Sequence, residues 1–370
     1  VFAAASAQAA EGRRGVNVLF LINYAGNGGS ERYVESLISR LHPTSVRCAL
    51  CCNIEGKLSE RLKKAGIPVF HLPMRHPFDR RAAKTLAALC REQNIDLVHA
   101  QHPREAMLAL YAERLGSGAR VIYTAHLTRK QPPWWRHWNR NYLPQTAAVI
   151  ALSEAQVPVL EANGVPLARI CVIPNGVERA PIVRAERTDG TLTLLTLSRL
   201  SPEKGLRFLC DAAVLLRKKT KISFRILLAG NGKQRRFLEK YIEKKKLRGT
   251  VFLLGFCEDV SGLLAEADIY VSPSRTETMS LAILEAMASG LPVVATQASA
   301  NLISGCGLTA PYGDADAFSN ALRELLENAA LRARLGEAAA RRHFDLTETC
   351  CRTAELYQRS LNHGTEKTEI

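Results

Sequence analysis

No apolar run in the 370-residue chain approaches the ~18 residues that a spanning helix needs, the longest strand-like runs being 16–22 and 222–229. A membrane-crossing helix is therefore not expected. The ten cysteines form no paired framework. The one C-x-x-C, Cys48 and Cys51, lies in a strand-like run without a second pair, so buried reduced thiols of a cytosolic protein are expected rather than zinc. No self-similarity of roughly 20–50 residues is present, which excludes a solenoid. No G-x-G-x-x-G fingerprint follows a strand, which disfavours a nicotinamide cofactor. No D-x-D carboxylate pair closes a strand and no histidine has ligand-like spacing, so no metal is expected. The opening residues have the small side chains of a signal cleavage site without a basic or long apolar stretch before them, and read as a frayed tail.

What is present fits a globular protein: 47% hydrophobic and 23% charged residues allow a sizeable core. At roughly 150 residues per domain the length predicts two domains. The net charge of +15 is concentrated in residues 1–180, which carry 23 Lys and Arg against 13 Asp and Glu. Such a surface attracts anions, whether nucleic acid, anionic lipid or phosphorylated substrates, and does not choose among them.

Apolar strand-like runs at 16–23, 46–54, 69–72, 96–101, 121–125 and 148–152 alternate with helical periodicity at 31–41, 81–92 and 104–115. This is the pattern of a doubly wound parallel α/β unit. A turn-rich stretch, Ile173-Pro174-Asn175-Gly176-Val177, and a polar segment to Gly190 mark a boundary. The alternation then restarts, with strands expected at 192–198, 222–229, 251–254, 269–271 and 292–295 and helices at 205–218, 234–246, 281–289 and 315–327. The expected layout is a tail over 1–15, a Rossmann-like domain over 16–180, a second over 181–345, and a tail segment over 346–370. Two such domains facing each other make a cleft, with ligands outside the carboxyl ends of the strands.

The segment Ser272-Pro273-Ser274-Arg275-Thr276-Glu277-Thr278-Met279-Ser280-Leu281 runs into Ala282-Ile283-Leu284-Glu285-Ala286-Met287-Ala288-Ser289-Gly290-Leu291-Pro292-Val293 as strand, loop, helix, glycine stop and strand. A helix opening near Thr278 would leave free N–H groups for a phosphate or pyrophosphate. Glu277 and Glu285 would then stand about 12 Å apart along one face, the span of a pyrophosphate between a ribose and a sugar. A dipole-complementing acid and a solvated helix glutamate satisfy the same spacing. Arg199 and Lys204, in Leu197-Ser198-Arg199-Leu200-Ser201-Pro202-Glu203-Lys204-Gly205, could both reach a diphosphate leaving group, or be ordinary surface charges. Ala25-Gly26-Asn27-Gly28-Gly29-Ser30-Glu31-Arg32 is a glycine loop opening a helix, suited to close ligand approach or to a tight turn. His99, His102 and His126 stand at strand ends, and His126 ends a strand that should open on the cleft.

The loop and helix with two glutamates resemble the E-x7-E signature of the family-4 glycosyltransferases, retaining nucleotide-sugar enzymes of the GT-B fold, and the run from Leu284 to Val293 matches it closely. The resemblance covers most of residues 16–345. It implies two Rossmann-like doubly wound parallel-sheet domains across a cleft, with a C-terminal helix crossing back to the first. By the family's pattern Glu277 contacts the donor sugar and Glu285 binds the ribose hydroxyls, with Thr278, Met279, Ser280 and Leu281 completing the donor loop. Met279 and Ser280 stand where Phe and Gly are common, which would reshape the sugar pocket. Arg199 and Lys204 match the S/G-R-L-x-x-x-K-G element. Gly28 and Gly29 match a G-G-x-E-R loop whose glycines face the donor phosphates or the acceptor. His126 takes the T-x-H position and is assigned to the reacting sugar or acceptor side, where His102 and Arg104 are further candidates. His99 is read as packing or bonding locally. Gly230, Asn231 and Gly232, and Gly255, Phe256 and Cys257, look like the nucleotide pocket, although αL turns and caps also account for the glycines. After Thr296 the family's Gly-Gly-x-x-Glu loop is shortened and its glutamate absent, which bears on donor-loop detail and not on the fold.

Residues 129–142 hold all three tryptophans, Trp134, Trp135 and Trp138, among basic residues. The grouping suits an anionic membrane interface, stacking on bases or sugars, or packing of a helix on the first sheet. The resemblance implies an enzyme that moves a sugar from a UDP- or GDP-sugar; Arg199, Lys204 and the helix opening would take the charge that a metal handles elsewhere, and the basic first domain with the tryptophan segment points to a glycan or lipid-linked acceptor in bacterial envelope polysaccharide or lipopolysaccharide synthesis. The acceptor is expected to attack from the face that the diphosphate leaves, the leaving phosphate oxygen helping to take the acceptor's proton, Glu277 being the only rival nucleophile. A cytoplasmic protein is expected, peripheral on the inner face of the membrane, with no cofactor and no nucleic-acid partner. A nucleotide-sugar epimerase of the same architecture and a basic nucleic-acid-binding protein are the competing readings.

Overall fold

The computed structural model describes residues 15–42, 46–126, 133–178 and 190–362. The chain divides into two compact units, one running to Asn175 and resuming at Leu346, the other Gly176–Asp345. The division falls inside the 173–177 turn stretch, ahead of the expected 180.

In the first unit β1 (Val16–Tyr24), β2 (Val46–Ile54), β3 (Val69–His71), β4 (Leu97–Ala100), β5 (Arg120–Ala125), β6 (Ala148–Ala151) and β7 (Ile170–Val172) form a sheet of order β3-β2-β1-β4-β5-β6-β7. Every pair is parallel. The helices are α1 (Gly29–Leu41), α2 (Lys57–Lys64), α3 (Arg80–Glu92), α4 (Pro103–Arg114), α5 (Pro133–Tyr142) and α6 (Val157–Ala162). β4 and β6 are buried at every position, as strands covered on both faces must be. Asp79 starts α3 sharply by accepting from Arg81 N and Ala82 N, each at 3.1 Å.

In the second unit β8 (Leu192–Leu197), β9 (Phe224–Ala229), β10 (Val251–Gly255), β11 (Ile269–Ser272), β12 (Val293–Thr296) and β13 (Gly307–Ala310) form a parallel sheet of order β10-β9-β8-β11-β12-β13. The helices are α7 (Leu206–Lys219), α8 (Arg235–Lys244), α9 (Val260–Glu266), α10 (Leu281–Ala288), α11 (Ala315–Glu327) and α12 (Ala329–Arg341). Alternation along β8 sends Leu194 into a core with Leu209, Ile226 and Phe318, and Leu195 into another with Tyr270, Ile283 and Met287. One apolar strand thus anchors helices on both faces.

The last helix, α13 (Leu346–Asn362), belongs to the first unit and packs on α1. Its hydroxyls tie it down: Thr349 Oγ1 donates to Pro174 O at 2.9 Å, and Tyr357 Oη lies 2.7 Å from His99 Nδ1. The strand order reverses between β1 and β4 and between β8 and β11. Ligands of open α/β sheets bind at such switch points, outside the carboxyl ends of the strands.

Candidate active site

At the switch point of the second unit the loops after β8 and β11 are tied together. A 3-10 turn, Pro202–Lys204, presents Lys204, whose Nζ donates to Glu277 Oε2 at 2.7 Å. The side chains are 25% and 14% exposed, sheltered enough that the pair is more than a surface contact. The backbone repeats the tie, Arg275 N donating to Glu203 O at 2.8 Å. Gly205 sits at φ +66°, and a Cβ there would lie 2.0 Å from Pro273 O. Ser198, Lys204, Ser272, Ser274, Glu277 and Ser280 line a small enclosed pocket. Ser198 Oγ is buried there with no hydrogen-bond partner among the described residues. Arg199 is exposed. Burial pushes the Glu203 carboxyl up, but the Ser201 hydroxyl, the backbone and the charges of Arg199 and Lys204 prevail and hold it below the usual range.

One expectation needs correction. The helix opens at Leu281, with Ser280 as its N-cap and Leu284 N bonded to Ser280 O at 3.1 Å, and not near Thr278. The Ser- and Thr-rich stretch before it favours turns, and its backbone bonds elsewhere: Thr296 Oγ1 donates to Ser274 O. Glu277 therefore lies in the loop with Thr278 and Met279, and the 12 Å axial spacing to Glu285 does not apply. Glu285 stands half-buried within α10.

The ends of β9 and β10 close on the same loops. Gly230, at φ +141°, comes so near Ser198 O that a Cβ would lie 1.9 Å from it, and Gly230 N donates to Gly255 O at 2.6 Å. Leu200 N donates to Asn231 O at 3.0 Å, and Gly232 lies against the Leu200 carbonyl. Phe256 is exposed beyond Gly255, and Cys257 is half-buried with its thiol toward Gly255 O. Four strand ends thus converge on backbone that only glycine permits. The sequence does hold one D-x-D, Asp314-Ala315-Asp316, which opens α11: Asp314 caps Ala317 N at 2.9 Å and Asp316 pairs with Lys219 at 2.6 Å. Among the described residues no group of three His, Cys, Asp or Glu side chains could hold a metal ion. The described cysteines are all free, and burial pushes the Cys48 thiol up to about 12.

In the first unit Gly28 is the N-cap of α1, and a Cβ at Gly29 would meet no atom within 4 Å. The loop is held instead by Asn27 Oδ1, which accepts from the Arg61 guanidinium at 2.8 Å while Arg61 also forks onto Glu35. His126 follows β5, its Nε2 2.8 Å from Gln101 Oε1 and its ring edge-on to Tyr33 at 5.0 Å. Removal from water, with His102 and His99 nearby, holds its pKa well below the imidazole range, although one edge reaches the surface. His102 is the N-cap residue of α4, 5.9 Å from His126 between ring centres.

His99 packs as expected, on Phe20, Tyr33 and Tyr357, while its ring bonds partners far along the chain. It is fully buried between Thr124 Oγ1 and Tyr357 Oη, each at 2.7 Å, and burial lowers its pKa to about 3. Arg104 is committed to structure, donating to Met74 O, with Nε buried and without a partner among the described residues. Beside it Glu105, in the first turn of α4, is 1% exposed. Burial raises its carboxyl to about 7 against the backbone N–H groups and the charge of Arg104.

The tryptophan segment forms α5. Trp134 is 62% exposed and Trp138 37%, so neither packs beneath the first sheet. Trp138 lies 4.6 Å from Phe78 and stacks at 5.7 Å on Tyr142, with Arg75, Arg80, Arg136 and Arg140 exposed on the same loops and helix. The Trp135 side chain and residues 127–132, including Arg129 and Lys130, lie outside the described residues.

Over residues 27–180 the chain matches the family model described as Glycosyltransferase Family 4, and over 191–328 the one described as Glycosyl transferases group 1. It is similar to the UDP-Gal:alpha-D-GlcNAc-diphosphoundecaprenol alpha-1,3-galactosyltransferase of Escherichia coli, 26% identical over 281 residues that cover 68% of this chain and 72% of that one. A glycosyltransferase structure from Rickettsia africae ESF-5 matches with a TM-score of 0.81 at 20% identity, covering 96% of this chain and 100% of that one. Anabaena HepE in complex with UDP matches at 0.80 and 21% identity, covering 93% and 100%. Those likenesses identify the fold as GT-B, two Rossmann-like parallel-sheet domains. With one family model on each unit, the chain belongs to the family-4, group 1 glycosyltransferases.

Proposed function

We propose that the protein transfers a hexose, with retention and without a metal ion, from a UDP-sugar to a lipid-linked or glycan acceptor in bacterial envelope polysaccharide synthesis. The observation that carries this reading is the Lys204–Glu277 pair at the second unit's switch point, 2.7 Å apart, with Arg199 beside it. Arg199 and Lys204 take the charge that develops on the leaving diphosphate, so fixed cations do what a divalent ion does elsewhere. Glu277, released from Lys204 as the diphosphate arrives, faces the donor sugar. Glu285 holds the ribose, and the Gly230–Gly232 and Gly255–Cys257 loops hold the base. Gly28 and Gly29 face the donor phosphates, and His126 and His102 belong to the acceptor side. Support for the donor comes from HepE, solved with UDP and with UDP-glucose, and for the acceptor class from the diphosphoundecaprenol-linked substrate in the name of the E. coli relative.

Retention follows if the acceptor attacks from the face the diphosphate leaves, a phosphate oxygen taking the acceptor's proton. The exposed Trp134–Trp138 patch, with its arginines, docks the first unit on anionic lipid, where the rings reach headgroup depth. The test is incubation with UDP-galactose or UDP-glucose and undecaprenyl-diphospho-N-acetylglucosamine, with and without EDTA, the product's anomeric configuration being read by NMR. An α-linked product formed equally in EDTA is expected. A β-linked product would refute retention, and loss in EDTA the metal-free claim. Conversion of the UDP-sugar without any acceptor would make the protein an epimerase.

A further inference from the structure

Gln101, which no sequence motif singles out, is fully buried just beyond β4, and its side-chain amide can face only one way. Its Nε2 donates at 3.1 Å to the backbone carbonyl of His99, a group that can only accept. Its Oε1 is thereby turned to His126 Nε2, 2.8 Å away. An amide oxygen cannot donate, so the proton of that hydrogen bond must sit on His126 Nε2. Packing against Tyr33, with His102 and His99 close by, disfavours a second proton on the ring. A neutral imidazole with its proton on Nε2 has a bare lone pair on Nδ1.

The carbonyl that fixes Gln101 is itself fixed. The His99 ring is held on one side by Thr124 Oγ1 and on the other by Tyr357 Oη of α13, both at 2.7 Å, and Tyr33 Oη lies 3.4 Å from the same Thr124 oxygen. A helix 258 residues away in sequence thus anchors the residue that orients the amide.

We propose that Gln101 is a positioning residue that locks His126 in the Nε2–H tautomer, so that Nδ1 is offered as a hydrogen-bond acceptor to a hydroxyl of the bound sugar or acceptor. His99 and Tyr357 hold the lock in place. The functional part of this inference rests on the proposed acceptor-side role of His126, whereas the tautomer does not.

The test uses the full chain labelled with 15N-histidine, the His126 signals being assigned by their loss in His126→Gln. Long-range 1H–15N spectra from about pH 6 to 8 should show a neutral ring with the proton on Nε2 and no titration. Gln101→Leu should leave a mixture of tautomers. Gln101→Glu, nearly isosteric, should turn His126 into an imidazolium at pH 6 that loses its proton as the pH rises, and UDP release from UDP-glucose should fall at pH 6 and recover at pH 8. The proposal is overturned by a wild-type ring protonated on Nδ1, by a wild-type tautomer mixture, by an unchanged tautomer in Gln101→Leu, or by a His126 ring that stays neutral at pH 6 in Gln101→Glu. Should Gln101→Leu not fold, the wild-type spectrum and Gln101→Glu decide. A protein that shows the lock yet binds no UDP would sink the proposed function and leave the tautomer assignment standing.

Discussion

Gly205→Ala tests whether the loops carrying Lys204 and Glu277 are as tightly joined as the geometry requires. The new Cβ would lie 2.0 Å from Pro273 O, where real Cβ atoms keep at least 3.0 Å, so two backbone segments must part by about 1 Å. The contact is to backbone, so no side chain can swing away. Forcing that separation costs about 1–3 kcal/mol, and holding alanine at φ +66° adds about 1–2 kcal/mol. A total of roughly 2–5 kcal/mol is expected, falling on the second unit. The Lys204–Glu277 contact at 2.7 Å would open with it, and a misplacement of about 1 Å can cost on the order of a hundredfold in rate. Urea denaturation followed by hydrogen exchange would locate the loss, and UDP titration would show its effect on the site. Gly29→Ala is the control, because its Cβ meets no atom within 4 Å and should leave stability nearly unchanged. Equal stability of Gly205→Ala and wild type, or an equal loss in Gly29→Ala, would refute the close-approach argument.

Tyr357→Phe leaves His99 Nδ1 buried without its partner, and should cost about 1–3 kcal/mol with faster amide exchange along α13. An unchanged denaturation midpoint would show that the contact does not hold the helix. Glu105 in the folded chain keeps its proton up to about pH 7, against an ordinary value of 4.5, so the unfolded chain ionises first and wild-type stability falls as pH rises through that window. Glu105→Gln does not titrate, and its advantage should grow from near zero at pH 4.5 to the order of a few kcal/mol at pH 8; a pH-independent difference in urea midpoint would contradict this. Trp134→Ser should weaken binding to phosphatidylglycerol vesicles at low salt, and equal sedimentation of variant and wild type with those vesicles would remove this patch from the membrane reading.

The parallel alternation was legible because strands covered on both faces must be apolar throughout: β2 and α11 have their expected bounds, and most other foreseen elements lie within two residues of them. What escaped was short or weakly patterned. β7 is three residues long and β13, Gly307–Ala310, offers a single large apolar side chain, so neither stands out from a loop. α12 begins directly after α11 with Asn328 as the cap between them, a break that apolar periodicity does not mark but an Asn before an alanine-rich run does. At the site, Arg199 and Lys204 lie on the loop and Glu285 on the helix where residue chemistry put them, and the helix keeps its expected start at 281, but it does not open near Thr278 with Glu277 at its mouth, because the Ser- and Thr-rich stretch before Ser280 turns instead. Partners distant in sequence were invisible. Nothing near His99 announces Tyr357, and nothing in the first turn of α4 tells that Glu105 is buried and its carboxyl raised.

Nucleotide binding on the second unit is tested most directly by thermal unfolding with UDP, GDP, ADP, CDP and NAD, on wild type and Glu285→Ala. A site saturated at about 100 times its dissociation constant adds roughly 2.7 kcal/mol to the native state, a shift readily seen in the midpoint. Stabilisation of wild type by UDP above the other nucleotides, lost in Glu285→Ala, is the predicted result. Stabilisation by none of them, or by UDP equally in both proteins, would contradict a UDP-sugar site with the ribose on Glu285.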